Sequence, residues 1–349
     1  MVVIGADLHK RSHTLVVVDE TGQKLAEKEV SATPAGHLEV RRWLGQWPDR
    51  TVALEDCRHL SRSLERDLLR AGERVVRVPP KLMAGARRSS REPGKSDPID
   101  ALAVARAALR EPDLPVATLD GPERDVRLLV DHRDDLVATR TQDQNRLRWH
   151  LHELMPGDEP APRSLDRSHV LAELEQRLAD QPGIVGRLAR ELVVRIRELT
   201  VAIDALEREI ARLVVRLSPS LLALTGCGPL TAAKLIGETA GIERFRSKAA
   251  FARHNGSAPV PVWSGATVRH RLSRGGNRQL NLALHRIAIT QMQRPGPGRE
   301  YIDHRRLAGD TKTEAIRALR RRISDEVFRR MRDDAAAQAA RRDPLVMAA

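Results

Sequence analysis

The chain has 349 residues, a formal charge of +13 and 31% charged residues, with a pI near 10.7. That length holds about two or three domains with real cores, and a strongly basic soluble chain points to nucleic acid as its partner. No apolar run reaches membrane-spanning length, and Cys57 and Cys227 are the only cysteines, which excludes a disulfide framework and a cysteine-rich zinc site.

Aromatic residues make up only 2%. Broad base-stacking platforms are therefore excluded, and nucleic-acid contacts are expected mainly through phosphates. The N-terminus lacks the basic, apolar and cleavage segments of a signal peptide. The expected location is the cytoplasm, beside the nucleoid, with no membrane partner.

Residues 2–8 read as a buried strand with Asp7 near its end. An acid in an apolar strand is costly to bury unless it is paired or metal-bound. Residues 13–19 read as a second strand, Asp19 to Gly22 as a hairpin turn and 23–32 as a third strand. An amphipathic helix follows over 34–46, then a fourth strand over 51–57 that ends in Glu55 and Asp56. A helix over 59–71 and a fifth strand over 74–78 are stopped by Pro79-Pro80. This order predicts a mixed sheet with helices on its faces.

A basic, turn-forming loop carries Arg87, Arg88, Arg91 and Lys95. It serves either as a phosphate grip or as a solvated loop. The stretch Lys95-Ser96-Asp97-Pro98-Ile99-Asp100-Ala101 then opens a strong helix former. Asp97 and Asp100, three apart, share one helix face. Two readings stand side by side: Asp97 as N-cap with Asp100 in the first turn, or a carboxylate pair gathered around a hard divalent cation.

Residues 123–154 and 169–217 read as long helices around a Pro- and Gly-rich tip, with a break at Pro182-Gly183. The seam through Ile196, Ile203, Ile210 and Leu217 is heptad-like, which predicts an antiparallel coiled-coil arm whose seam either joins subunits or packs on its own domain. Gly226 and Gly228 precede a helix starting at Pro229 in the form of a helix-hairpin-helix, whose amides suit a DNA phosphate. Ser257 and the Trp263-Ser264-Gly265 turn follow, and then Arg269, Arg271, Arg274, Asn277 and Arg278. Residues 294–299 read as a loop, 311–331 as a basic helix and 333–349 as a frayed tail. The domains expected are 1–120, an α/β catalytic domain; 121–217, a helical arm; and 218–332, mainly helical.

The Asp7, Glu55, Asp97, Asp100 order and the K-S-D-x-x-D-A run resemble the insertion-sequence transposases of the IS-one-ten family and their Piv-like DNA invertase relatives. The G-x-x-P, S-G and x-G-N-x-x-L elements over 251–290 resemble the C-terminal transposase-20 domain of the same family. Arg274 stands where lysine is usual, and Asn281 where an arginine is common. The resemblance implies a ribonuclease-H-like fold of the RuvC type. In it Asp7, Glu55, Asp97 and Asp100 hold Mg²⁺ (Mn²⁺ in its place) and Ser264 is the nucleophile. It further implies a homo-oligomer, dimer or tetramer, that acts on DNA element ends and target with a structured bridge RNA. Lys95, Arg87, Arg88, Gly226, Gly228, Arg269, Arg271, Arg274, Asn277 and Arg278 are the expected nucleic-acid contacts. The alternatives are a RuvC-like junction nuclease and an invertase without guide RNA. An actin-like ATPase is disfavoured, because Leu-His-Lys-Arg follows Asp7 with none of the glycines of a phosphate-binding turn.

Overall fold

The computed structural model describes residues 1–56, 60–88, 96–111, 114, 116–264, 267–271 and 275–346. The chain divides into two compact units, Met1–Asp120 and Gly121–Ala349.

The first unit is built from β1 (Val2–Leu8), β2 (Ser12–Val18), β3 (Lys24–Ser31), α1 (Pro34–Leu44), β4 (Arg50–Glu55), α2 (Arg62–Arg70), β5 (Val75–Val78), α3 (Pro80–Arg88) and α4 (Asp97–Arg110). The sheet order is β3-β2-β1-β4-β5. The first three strands pair antiparallel and the last two join parallel. The β2–β3 turn follows from its residues. Asp19 Oδ1 accepts from the amides of Thr21 and Gln23 at 2.9 Å, and Gly22 takes φ +84°, where a side chain would be strained. Parallel pairing needs crossovers, and α1 and α2 supply them. This is the mixed sheet with helices on its faces that the element order predicts.

Side-chain alternation gives the sheet two cores. On one face Val3, Val16, Val18, Ala53 and Val76 pack with α3 and α4. On the other, Ile4, Leu15, Val17, Val52 and Leu54 pack with α1 and α2. Pro80 does more than stop β5: it begins α3, since a proline at the first helical position loses no hydrogen bond. Arg87 and Arg88, expected in a loop, therefore close a helix.

The second unit starts with α5 (Pro122–Leu154), α6 (Ser168–Leu178) and α7 (Gly183–Leu217). It continues with α8 (Pro219–Leu222), α9 (Pro229–Thr239), α10 (Lys248–His254), β6 (Val260–Ser264) and β7 (Thr267–Arg271), and ends with α11 (Arg278–Gln293), α12 (Pro297–Leu307) and α13 (Lys312–Val346). Helices α5 and α7 run antiparallel. Arg133 meets Glu207 at 2.5 Å, Arg140 meets Thr200 at 3.1 Å, and Arg195 meets Asp143 at 3.1 Å. At the base Val126 and Val130 join Ile210, Val214 and Leu217 in the main core. Near the tip Leu147 and Leu151 join α6 and the start of α7 in a second core.

Four expectations change here. The seam through Ile196, Ile203 and Ile210 is buried within the chain, at 0%, 2% and 0% exposure, so α5 takes the place expected for another subunit. Strands β6 and β7 pair antiparallel, from Val260 beside Arg271 to Ser264 beside Thr267, inside an otherwise helical unit. The expected loop at 294–299 already begins α12, and the expected frayed tail continues α13 to Val346. Among the described residues no helix is long and apolar enough to cross a membrane.

Candidate functional site

The parallel register of β1 and β4 runs from Val2 beside Arg50 to Ala6 beside Leu54. The next step sets Asp7 alongside Glu55, on the sheet face that carries Val3, Gly5 and Ala53. That face lies under α4. A Cβ built on Gly5 would fall 2.2 Å from the Ala101 carbonyl oxygen and 2.4 Å from the Ala105 nitrogen. Only a glycine lets the helix backbone come so near. One turn before Ala101, Asp97 is the first residue of α4, and Asp100 is buried in the same turn. Ser96, not Asp97, is the N-cap, and its side chain makes no capping bond. The capping role open to Asp97 is therefore not the one it takes.

These placements gather donors at the end of β1. His9 Nε2 lies 3.3 Å from Asp7 Oδ2 and 3.3 Å from Asp97 Oδ1. One donor atom each from Asp7, His9 and Asp97 falls within 4.8 Å of the others. Asp7 is buried, and among the described residues its Oδ2 accepts no well-formed hydrogen bond. Burial holds the Asp7 carboxyl above the ordinary carboxylate value. His9 opposes the shift, while the Asp100 and Asp97 charges add to it. Beside Asp97 opens a cleft of about 350 Å³ lined by Thr14, Lys28, Ser96 and Pro98 among others. His9 and Gly5 had no expected role. A glycine inside an apolar strand is a signal of close backbone approach, but nothing in the sequence pattern distinguishes His9.

In the second unit Gly226 takes φ +88°. Gly228 is the N-cap of α9, and a Cβ on it would meet nothing within 4 Å, so the approach to that helix start is open. Ser264 is the last residue of β6, after Trp263, which is 69% exposed. Arg269 and Arg271 fall on β7. Arg278 opens α11 and is exposed. Lys95 and Arg274 lie outside the described residues. Ser257 has its hydroxyl buried without a partner among the described residues, while its amide donates to Asn255 Oδ1 at 3.0 Å. An enclosed hydroxyl is a poor nucleophile.

Asn277, expected as a nucleic-acid contact, holds a helix start in this structure. Its Oδ1 caps α11 by accepting from the amides of Gln279 and Leu280 at 2.9 and 3.0 Å, and its Nδ2 donates to the buried Glu238 at 2.7 Å. The side-chain oxygen holds the helix start and the amide nitrogen ties it to α9. Gly276, beside it, lies so close to Gly256 that a Cβ would sit 2.3 Å from the Gly256 nitrogen. That contact fastens the two glycine motifs together. Asn281 bridges the same junction. Its Nδ2 donates to the Asn255 carbonyl at 3.0 Å, and its Oδ1 accepts from Arg320 Nη1 at 2.8 Å.

The sheet thus carries carboxylates at the ends of its adjacent parallel strands β1 and β4 and on the helix above them. A family model described as Transposase, for the DEDD domain of the IS110 group, matches residues 4–156, and one described as Transposase IS116/IS110/IS902 family matches residues 218–303. The chain belongs to this family of transposases. The insertion element IS116 uncharacterized 44.8 kDa protein of Streptomyces clavuligerus is 29% identical and covers 95% of this chain and 94% of its own length. The insertion element IS900 uncharacterized 42 kDa protein of Mycobacterium paratuberculosis is 27% identical over 95% of this chain and 96% of its own. A probable family 20 transposase of Pseudomonas aeruginosa is 27% identical over 80% of this chain and 81% of its own. Among solved structures, T. thermophilus RuvC in complex with Holliday junction substrate is similar at 20% identity and a TM-score of 0.27, covering 34% of this chain and 99% of that one.

Proposed function

We propose that this transposase cuts and rejoins DNA at insertion-sequence ends, with Asp7, Glu55, Asp97 and Asp100 holding Mg²⁺ and Ser264 as the nucleophile. It works as a homo-oligomer guided by a structured RNA. The observation that carries the reading is Asp7, buried beside Asp97 and Asp100 with an oxygen that accepts no well-formed hydrogen bond. Carboxylates crowded in this way repel unless a cation joins them. The donors fit a hard divalent ion, which takes oxygen ligands, and His9 lies within reach of the same position. When bound, the ion supplies neutralisation of phosphoryl oxygens and activation of the attacking oxygen.

The protein groups do the rest. Ser264 Oγ forms a bond to phosphorus, the bond from phosphorus to the leaving sugar oxygen breaks, and the hydroxyl proton ends on that oxygen. Resealing reverses these steps with a new sugar hydroxyl. Arg269, Arg271, Arg274 and Arg278 supply positive charge for the flanking phosphates, and the open amides after Gly228 offer another phosphate contact.

A denaturing gel with end-labelled DNA and Mg²⁺ tests the chemistry. The wild-type chain should form a covalent protein–DNA adduct. Ser264→Ala should form none while still binding DNA, and Ser257→Ala should form nearly as much as wild type. Asp100→Asn should lose strand exchange by roughly 100-fold or more, the scale of removing one transition-state contact, with no loss of thermal stability. Clean cleavage without any adduct would transfer the reading to a RuvC-like nuclease in which water attacks. A discrete RNA that co-purifies when nuclease treatment is omitted supports guidance; its consistent absence favours an invertase-type enzyme.

A further inference from the structure

Three arginines of α13 are paired with acids inside the protein. Arg321 pairs with Asp325, Arg329 with Glu326 and Asp333, and Arg330 with Glu326. Arg322 lies 4.1 Å over the ring of Tyr301. Arg320 differs. Its one side-chain acceptor among the described residues is the neutral amide oxygen of Asn281, at 2.8 Å from Nη1. Its Nε is buried and donates to nothing. Among the described residues no ion pair joins it to an acid. Arg317, three residues earlier on α13, repels it, and burial together with that repulsion lowers its pKa from the ordinary value. His285, one turn along α11 from Asn281, has an unpartnered, buried Nδ1. Burial and the Arg320 charge both push its imidazole toward the neutral form.

A guanidinium drawn half out of water without an acid beside it is costly unless an anion completes the site. The fork at Arg320 is already oriented: Asn281 fixes Nη1, and an anion would meet the fork through Nη2, beside the buried Nε. Paired donors on a planar fork suit the oxygens of a phosphate. Asn281 is itself fastened to the loop of Asn255 and Gly256, so the fork is rigid before any ligand arrives. We infer that Arg320, held by Asn281 and flanked by Arg317 and His285, is an anion site of the C-terminal unit that takes one phosphodiester group of a nucleic-acid backbone. The choice of phosphodiester as the anion rests on the transposase reading above; the need for an anion does not.

The test uses the full chain, a fluorescein-labelled DNA duplex and a duplex RNA of the same sequence, titrated over a series of NaCl concentrations. Arg320→Gln should weaken binding about tenfold, the scale of one charge-assisted contact. It should also reduce the slope of log affinity against log salt by about 0.9, the value for one phosphate on B-DNA. Its melting temperature without nucleic acid should stay level or rise, since an uncompensated cation is gone. Arg320→Lys keeps the charge and loses the fork, so it should retain most of the slope. Arg305→Gln, which removes an arginine paired with Asp310 on another helix, should leave the slope unchanged. A change confined to the DNA arm assigns the phosphate to DNA, and one confined to the RNA arm assigns it to RNA. An unchanged slope in both arms, or a lowered melting temperature with unchanged binding, overturns the site. Because binding is read without strand exchange, an inactive wild-type chain leaves the result intact and counts only against the catalytic reading.

Discussion

His13 and His37 stack 5.5 Å apart, both buried at 2% exposure, on the sheet face of Leu15 and Val17. His37 Nδ1 meets Asp67 Oδ2 at 2.7 Å. Burial, and then the neighbouring His37, push the His13 imidazole down to about 4. The folded pKa thus lies below the unfolded one, near 6.5, so the unfolded chain binds more protons between those values. The stability from a neutral His13 is complete above about pH 6.5 and is lost as pH falls toward 4, by roughly 3 kcal/mol in all. Urea unfolding at pH 7 and pH 5 should show this loss, and His13→Leu should flatten it; an equal loss in the variant would assign the effect elsewhere. At this scale the four acids were legible because each stands where an apolar element begins or ends. His9 was not, since one histidine in a turn carries no pattern. The engagement of Asn277 was equally hidden, because its partner Glu238 lies on a different helix far along the chain.

Among elements, the contact of α4 on β1 matters most to the acids. Gly5→Ala would drive a methyl group into the Ala101 carbonyl, so the helix must lift. Overpacking of this kind costs about 1–3 kcal/mol, and Asp97 and Asp100 would move with the helix. The variant should therefore lose strand exchange together with stability. A drop in the melting temperature with full activity would show that the acids tolerate the shift. The pair α5 and α7 makes a different point. Hydrophobic periodicity marked the buried stripe of α7 correctly, yet it specifies a face and not the partner that covers it. Since α5 covers it, Ile203→Ala should lower the unfolding free energy by about 2–5 kcal/mol, with no change of molecular mass by light scattering. A change of mass at unaltered stability would return the seam to a subunit contact. The hairpin of β6 and β7 escaped the sequence reading for a simpler reason: two five-residue strands broken by proline and glycine carry little periodic signal.

For the whole molecule, each unit has its own cores, and the chain passes from one unit to the next at Asp120. Composition made the polar character of the partner legible through the +13 charge, though not which arginines carry the contact. Arg321, Arg329 and Arg330 of α13 answer acids nearby, and net charge counts them all the same. The long pair in the second unit has a further consequence. Helix α5 has 33 residues and so extends about 50 Å at 1.5 Å per residue, with one core at its base and another near its tip. Between those cores the two helices meet through repeating side-chain steps, and nothing there depends on absolute length. Adding seven residues to each helix at facing positions would carry the tip outward by about 10 Å and leave both ends packed as before. The pair is in effect a ruler graduated in heptads, whose reach can be reset without rebuilding either end.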